Sequence, residues 1–193
     1  MPLSQPSKRE SIHTRNIRVT SFRRPDDQWD IEGHLLDTAE LPIENTFRGI
    51  IKKGQPIHDM HFRLTLNLEI KITEVEASMD DTPYAMCPAI EKVFQKLVGE
   101  TIGPGWNRRI RDLFGGVLGC VHMVDLLSPI GTVGFKTVKR EAGLNKKANS
   151  ELTDNASYQI NTCHAMASDS EIVKERWPLL YTGYKNFDSE NST

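Results

Sequence analysis

Hydrophobic periodicity changes once along this 193-residue chain, and that change constrains the fold more than any other feature. Up to Met79 the apolar positions alternate with polar ones, as in strands that bury one face. After Asp80-Asp81-Thr82-Pro83 the spacing becomes helical, with Ile90, Val93, Phe94 and Leu97 at i, i+3, i+4 and i+7. Strands first and helices afterwards predict an α+β fold. The expected architecture is an antiparallel sheet from two N-terminal hairpins packed against three helices.

The first hairpin is expected over Ile12 to Arg23 and Gln28 to Asp37, joined by turn chemistry at Pro25-Asp26-Asp27. In its second strand Trp29, Ile31 and Leu35 share one face with Gly33, and Asp30, Glu32 and His34 share the other. Residues 38–56 read as a connection with one short strand through Arg48 to Lys52. The second hairpin pairs Ile57 to Asn67 with Glu69 to Met79. In the former, His58, Met60, Phe62, Leu64 and Leu66 face one way, and Asp59, His61, Arg63 and Thr65 the other. Helices are expected from Cys87 to Gly99, from Trp106 to Phe114, and from about Leu118 or Cys120 to Arg140. Pro129 should kink or split the third. Pro88 suits a first helical position, which would make Cys87 the N-cap. Residues 141–157 read as a loop, 156–167 as a strand or extended arm, and Ser170 to Trp177 as a short helix.

A single domain is expected. Residues 12–55 form a hairpin extension, 56–140 an α+β core and 141–184 a C-terminal arm, with 1–10 and 185–193 disordered. Basic and acidic residues are mixed along the chain and nearly balance at a net charge of −2, which argues against a nucleic-acid surface. No apolar run approaches the roughly 18 residues of a membrane span, and the N-terminus lacks an apolar signal core. Three cysteines without close pairing do not form a disulfide framework, so a reducing, cytoplasmic setting is expected. Exposed hairpin edges leave a homodimer open.

The ligand-type side chains suggest two arrangements. In the first, Cys87 and Cys120 each open a helix, where unpaired N–H groups and the macrodipole favour thiolate. His58, on the apolar face of its strand, is costly to bury unpartnered. With Asp59 brought round by a bulge, these four would form a zinc or iron site; magnesium and calcium prefer oxygen. His122 lies about 200° round the helix axis from Cys120 at 3.6 residues per turn and is the weaker candidate. In the second arrangement, Glu32, His34, Asp59 and His61 on the polar faces of the hairpins provide two imidazoles and carboxylates, as non-haem iron prefers. That set requires the hairpins to lie side by side. The contrary readings are that both cysteines are small core residues and that the polar strand face is merely solvated. Phosphate-loop, dinucleotide, nucleophile-elbow and zincin motifs are absent.

Over His13 to about Trp177, the segments Trp29-Asp30-Ile31-Glu32-Gly33-His34-Leu35, Pro56-Ile57-His58-Asp59-Met60, Gly119-Cys120-Val121-His122 and Thr162-Cys163-His164-Ala165 resemble a bacterial domain-of-unknown-function family. That resemblance implies a setting in the catabolism of aromatic or acyl substrates. Residues His58 to Lys139 also resemble the IscU/NifU and SufE type of iron–sulfur scaffold. Cys87-Pro88-Ala89-Ile90 takes the place of its central cysteine segment, Cys120 that of the last cysteine, and His58-Asp59 that of a Cys-x-Asp pair. The first scaffold cysteine is absent, and Gly119 replaces a histidine, which favours zinc or mononuclear iron over a cluster.

The expected function is a metal-dependent enzyme for a small organic substrate. Cys87, Cys120, His58 and Asp59 would be ligands, Asp59 alternatively a general base, and Glu32, His34 and His61 would face the substrate. The alternatives are an iron–sulfur or sulfur carrier and a binding module with structural cysteines.

Overall fold

The computed structural model describes residues 3–146 and 157–183. The chain divides into two compact units, residues 1–142 and 143–193. Unit 1 has the expected α+β architecture. Strands β1 (His13–Arg23), β2 (Trp29–Ala39), β5 (Pro56–Leu66) and β6 (Ile72–Asp81) make an antiparallel sheet in the order β1-β2-β5-β6. Between β2 and β5, a small separate hairpin pairs β3 (Ile43–Asn45) with β4 (Gly49–Ile51), where a single short strand was expected. The sheet thus places the two hairpins side by side, with β2 against β5.

One face of the sheet is the core face. Trp29, Ile31 and Leu35 of β2 and Met60, Phe62, Leu64 and Leu66 of β5 are all buried, as strand alternation requires. Three elements cover them: a 3-10 helix (Cys87–Leu97), α1 (Trp106–Phe114) and α2 (Val121–Lys146). The first of these departs from the α-helix expected there. Its half-buried stripe, Cys87, Ile90 and Val93, repeats every three residues, as does the buried pair Phe94 and Leu97, so the sequence suits a three-residue turn equally well. An aromatic chain ties the layers together: Phe62 meets Phe94 edge-on at 5.3 Å between centroids, and Phe94 meets Phe114 at 4.9 Å.

Helix α2 continues through Pro129 without splitting and extends beyond the expected end at Arg140. It lies very close to its neighbours. A Cβ on Gly33 would fall 2.6 Å from Cδ1 of fully buried Ile130. On Gly131 it would fall 2.3 Å from Nε1 of Trp106, whose indole donates to the Leu127 carbonyl at 3.0 Å. No helix among the described residues is long and apolar enough to cross a membrane.

In unit 2 the described part of the 156–167 segment forms 3-10 turns at Ser157–Gln159 and His164–Met166 rather than a strand. Asn161 adopts a φ of 61°, outside the extended region, and its N–H donates to the Met166 carbonyl at 2.7 Å, closing a local loop. A short helix, α3 (Glu171–Arg176), is capped by Ser170, whose Oγ accepts from the Val173 N–H at 3.2 Å, and it ends ahead of Pro178. The loop expected over 141–157 is overturned at both ends, since residues 141–146 continue α2 and Ser157 opens a 3-10 turn. Its middle, 147–156, and the expected C-terminal fraying lie outside the described residues, whereas residues 3–10 are described and form no helix or strand.

Gly131→Ala reverses an ordinary rule. In an open helix the change gains roughly 0.5–1 kcal/mol. Here the Trp106 ring must move, and overpacking costs about 1–3 kcal/mol. Urea unfolding of the variant should show a lower midpoint than the parent; a higher midpoint would mean that the contact is slack.

Candidate metal centre

Histidines meet on the outer face of the sheet because of strand register. Residues paired across strands stand side by side on one face. Arg18 of β1 pairs with His34 of β2, His34 with His61 of β5, and His61 with Ser78 of β6, giving one row across four strands. Asp59, two residues before His61 on the same strand face, is diagonal to His34. The His34 and His61 rings stack in parallel, 4.3 Å apart and 5° from coplanar. Their Nε2 atoms converge on one oxygen: Asp59 Oδ1 lies 2.7 Å from His34 Nε2 and 3.2 Å from His61 Nε2. A register shift between β5 and β6 leaves Asp80 as an extra residue, and its Oδ2 comes within 3.7 Å of the same His61 atom. The side chains of His34, Asp59 and His61 are 37%, 24% and 46% exposed, so the group is open to a ligand. No guanidinium or ammonium is ion-paired to Asp59 among the described residues.

Beside this group lies a recess of about 440 Å³ lined by Arg18, Thr20, Phe22, Glu32, His34, His61 and Arg63, among others. Glu32 is held in its wall by Arg63 Nη1 at 3.2 Å, and Arg63 also pairs with Glu76 across the strands. The Glu32 carboxylate is therefore engaged, and it belongs to neither group of convergent ligand atoms.

A second group sits on the inner face at one end of the sheet, again set by register: Arg15 pairs with Asp37, and Asp37 with His58. Asp37 is only 1% exposed. Arg15 donates to both of its oxygens, Nε to Oδ1 and Nη2 to Oδ2, each at 2.7 Å, and donates from Nη1 to Asp125 at 2.8 Å. His58 Nδ1 is 3.1 Å from Asp37 Oδ2, and since a carboxylate only accepts, that nitrogen carries the proton. His122, from the first turn of α2, stacks on His58 at 3.7 Å, with Nε2 4.0 Å from Asp37 and Nδ1 3.8 Å from Cys120 Sγ. Burial pushes the His58 pKa down, helped by the neighbouring His122 and opposed by Asp37. Burial likewise lowers His122, helped by Arg15. For Asp37 burial works upward, but the Arg15 ion pair outweighs it and holds the carboxyl below its usual value. With a bidentate guanidinium already on its carboxylate, this group neutralises itself and is the poorer cation site.

These two groups are the sets of three or more ligand-type side chains whose atoms converge among the described residues. The four residues expected to share one site, His58, Asp59, Cys87 and Cys120, do not come together. His58 joins the inner group and Asp59 the outer, because the irregularity at the start of β5 leaves out Ile57, ahead of both, alternation holds from His58 onward, and the shift beside Asp59 falls on β6. Cys87 opens its 3-10 helix, with Met86 rather than Cys87 at the N-cap, and packs half-buried against the core. Cys120 precedes α2, its carbonyl accepting the Val124 N–H at 2.9 Å. Neither cysteine enters a convergent group, and Cys163 is exposed. Helical geometry set His122 aside, yet it reaches His58: Cys120 is outside the helix, so an angle counted from it does not apply. Arg15 and Asp37 are not among the expected site residues; the signal in the sequence is an acid at the end of the apolar stripe Trp29, Ile31, Leu35.

The lowered histidines set a pH dependence. A base with a depressed folded pKa takes up protons more readily when unfolded, so its contribution to stability is present above about pH 6.5 and lost as pH falls through that value. The urea midpoint of chelator-treated protein should therefore hold between pH 8 and 7 and drop below about 6.5. Replacing both His58 and His122 with Gln should flatten that drop; an unchanged slope would contradict the assignment.

The family model described as "Protein of unknown function (DUF2889)" matches residues 13–136, from the start of β1 into α2, a stretch that contains every member of both groups. No curated protein and no solved structure matches the chain. The chain belongs to the DUF2889 family of proteins of unknown function.

Proposed function

We propose that this protein is a metal-dependent enzyme whose zinc or iron ion is held on the outer sheet face by His34, His61 and Asp59, and which acts on a small organic molecule in the adjoining recess. One observation carries the reading: two imidazole Nε2 atoms and a carboxylate oxygen from adjacent strands meet within 3.2 Å of a common point, Asp59 Oδ1. Two imidazoles with a carboxylate suit zinc and ferrous iron, and leave coordination positions for substrate or water. Asp80, whose Oδ2 lies 3.7 Å from His61 Nε2, would add a further carboxylate. A bound ion would polarise a substrate carbonyl or activate water. The chain's own part is to orient both rings by cross-strand stacking and to wall the recess with the Glu32–Arg63 pair. An apolar or acyl portion of a substrate has Phe22 available as a surface.

A sulfur-carrier or iron–sulfur role would rest instead on Cys87 and Cys120, and one experiment separates the two. Protein purified without affinity-tag metals is loaded with zinc or iron under anaerobic conditions, exchanged into metal-free buffer and assayed by elemental analysis. Wild type and the Cys87→Ala/Cys120→Ala variant should each retain about one equivalent, and His34→Ala/His61→Ala should lose it. Metal kept by the histidine variant and lost, with visible absorbance, from the cysteine variant would overturn the proposal.

A further inference from the structure

Arg18 is the one guanidinium facing the recess that has no counter-charge among the described residues. Arg63, on the next row, is engaged by Glu32 and Glu76. Arg18 makes no hydrogen bond or ion pair there, although it stands directly across from His34. An unpaired guanidinium beside an ion site offers a planar fork that matches a carboxylate through two parallel hydrogen bonds. Farther along the same face of β1 come Thr20 and then Phe22, a residue that is 48% exposed. At about 3.3 Å per residue, Arg18 and Phe22 are roughly 13 Å apart, the length of a medium-sized acid with an apolar tail.

We infer that Arg18 binds the carboxylate of the substrate, so that the enzyme's substrates are small organic acids with an apolar body lying along Thr20 toward Phe22. This inference rests on the recess being the substrate site of the metal centre proposed above. The head group lies next to the ion's ligand His34, so atoms close to the carboxylate are the ones presented to the reaction. The Glu32–Arg63–Glu76 row carries excess negative charge and would repel a second anionic group placed on it. That favours monoacids.

The probe is hexanoate, with hexan-1-ol as its uncharged counterpart, titrated against full-length zinc-loaded protein by ligand-observed NMR, with metal content measured on the same samples. Wild type should bind hexanoate saturably and hexanol at least tenfold more weakly. Arg18→Gln, a change at an exposed position, should keep its zinc and its melting temperature but bind hexanoate at least tenfold more weakly. Equal hexanoate binding by wild type and Arg18→Gln, or no saturable binding by zinc-loaded wild type, would overturn the inference. Arg18-dependent binding in protein that retains no metal would uphold the inference while removing the metal reading.

Discussion

The pairing register of β2 with β5 is the constraint on which everything else depends. It sets His34 opposite His61 on one face and Asp37 opposite His58 on the other, and it gathers the apolar stripe under α2. Side chains alternate with a period of two, so a slip of one residue would send both histidine groups to the wrong faces and expose the core. The register is held from both sides. Gly33 lets Ile130 approach the strand backbone, and Arg15 clamps Asp37 where β1, β2 and α2 meet.

The two polar groups differ in what their charges leave unsatisfied. Around Asp37 the carboxylate is already paired: a bidentate guanidinium sits on it, and that guanidinium also reaches a second carboxylate, Asp125. Breaking such a buried arrangement is costly, because it strands an unpaired charge. Its chemistry is therefore structural, tying the start of α2 to the sheet. Among the described residues the Asp59 carboxylate meets only imidazoles, on a face open to solvent, beside a recess whose Arg18 has no counter-charge there. That imbalance is what a binding site for an ion and an anion requires.

Much of the fold was legible because it follows from periodicity and punctuation. The β1–β2 hairpin, the boundaries of α1 and the stop ahead of Pro178 were each visible in spacing, turn residues or breakers. The 3-10 form of Cys87–Leu97 was not, since a stripe of Ile90, Val93, Phe94 and Leu97 fits both helix types. The candidate site was half legible. Alternation put Glu32, His34, Asp59 and His61 on polar faces, but only strand order brings the hairpins together, and sequence does not supply strand order. The cysteines looked like partners for His58 because of where they sit along the chain. His122 and Asp37 occupy that place in space, one through the true start of α2 and the other through the Arg15 row.

The central claim is that the outer face, through His34, His61 and Asp59, is where this chain binds metal. Anomalous diffraction at the zinc edge from crystals of zinc-loaded protein tests it most directly. The account predicts a strong anomalous peak about 2.0–2.2 Å from His34 Nε2, His61 Nε2 and an Asp59 oxygen. A peak beside Cys87 or Cys120, or none on the outer face, would contradict it.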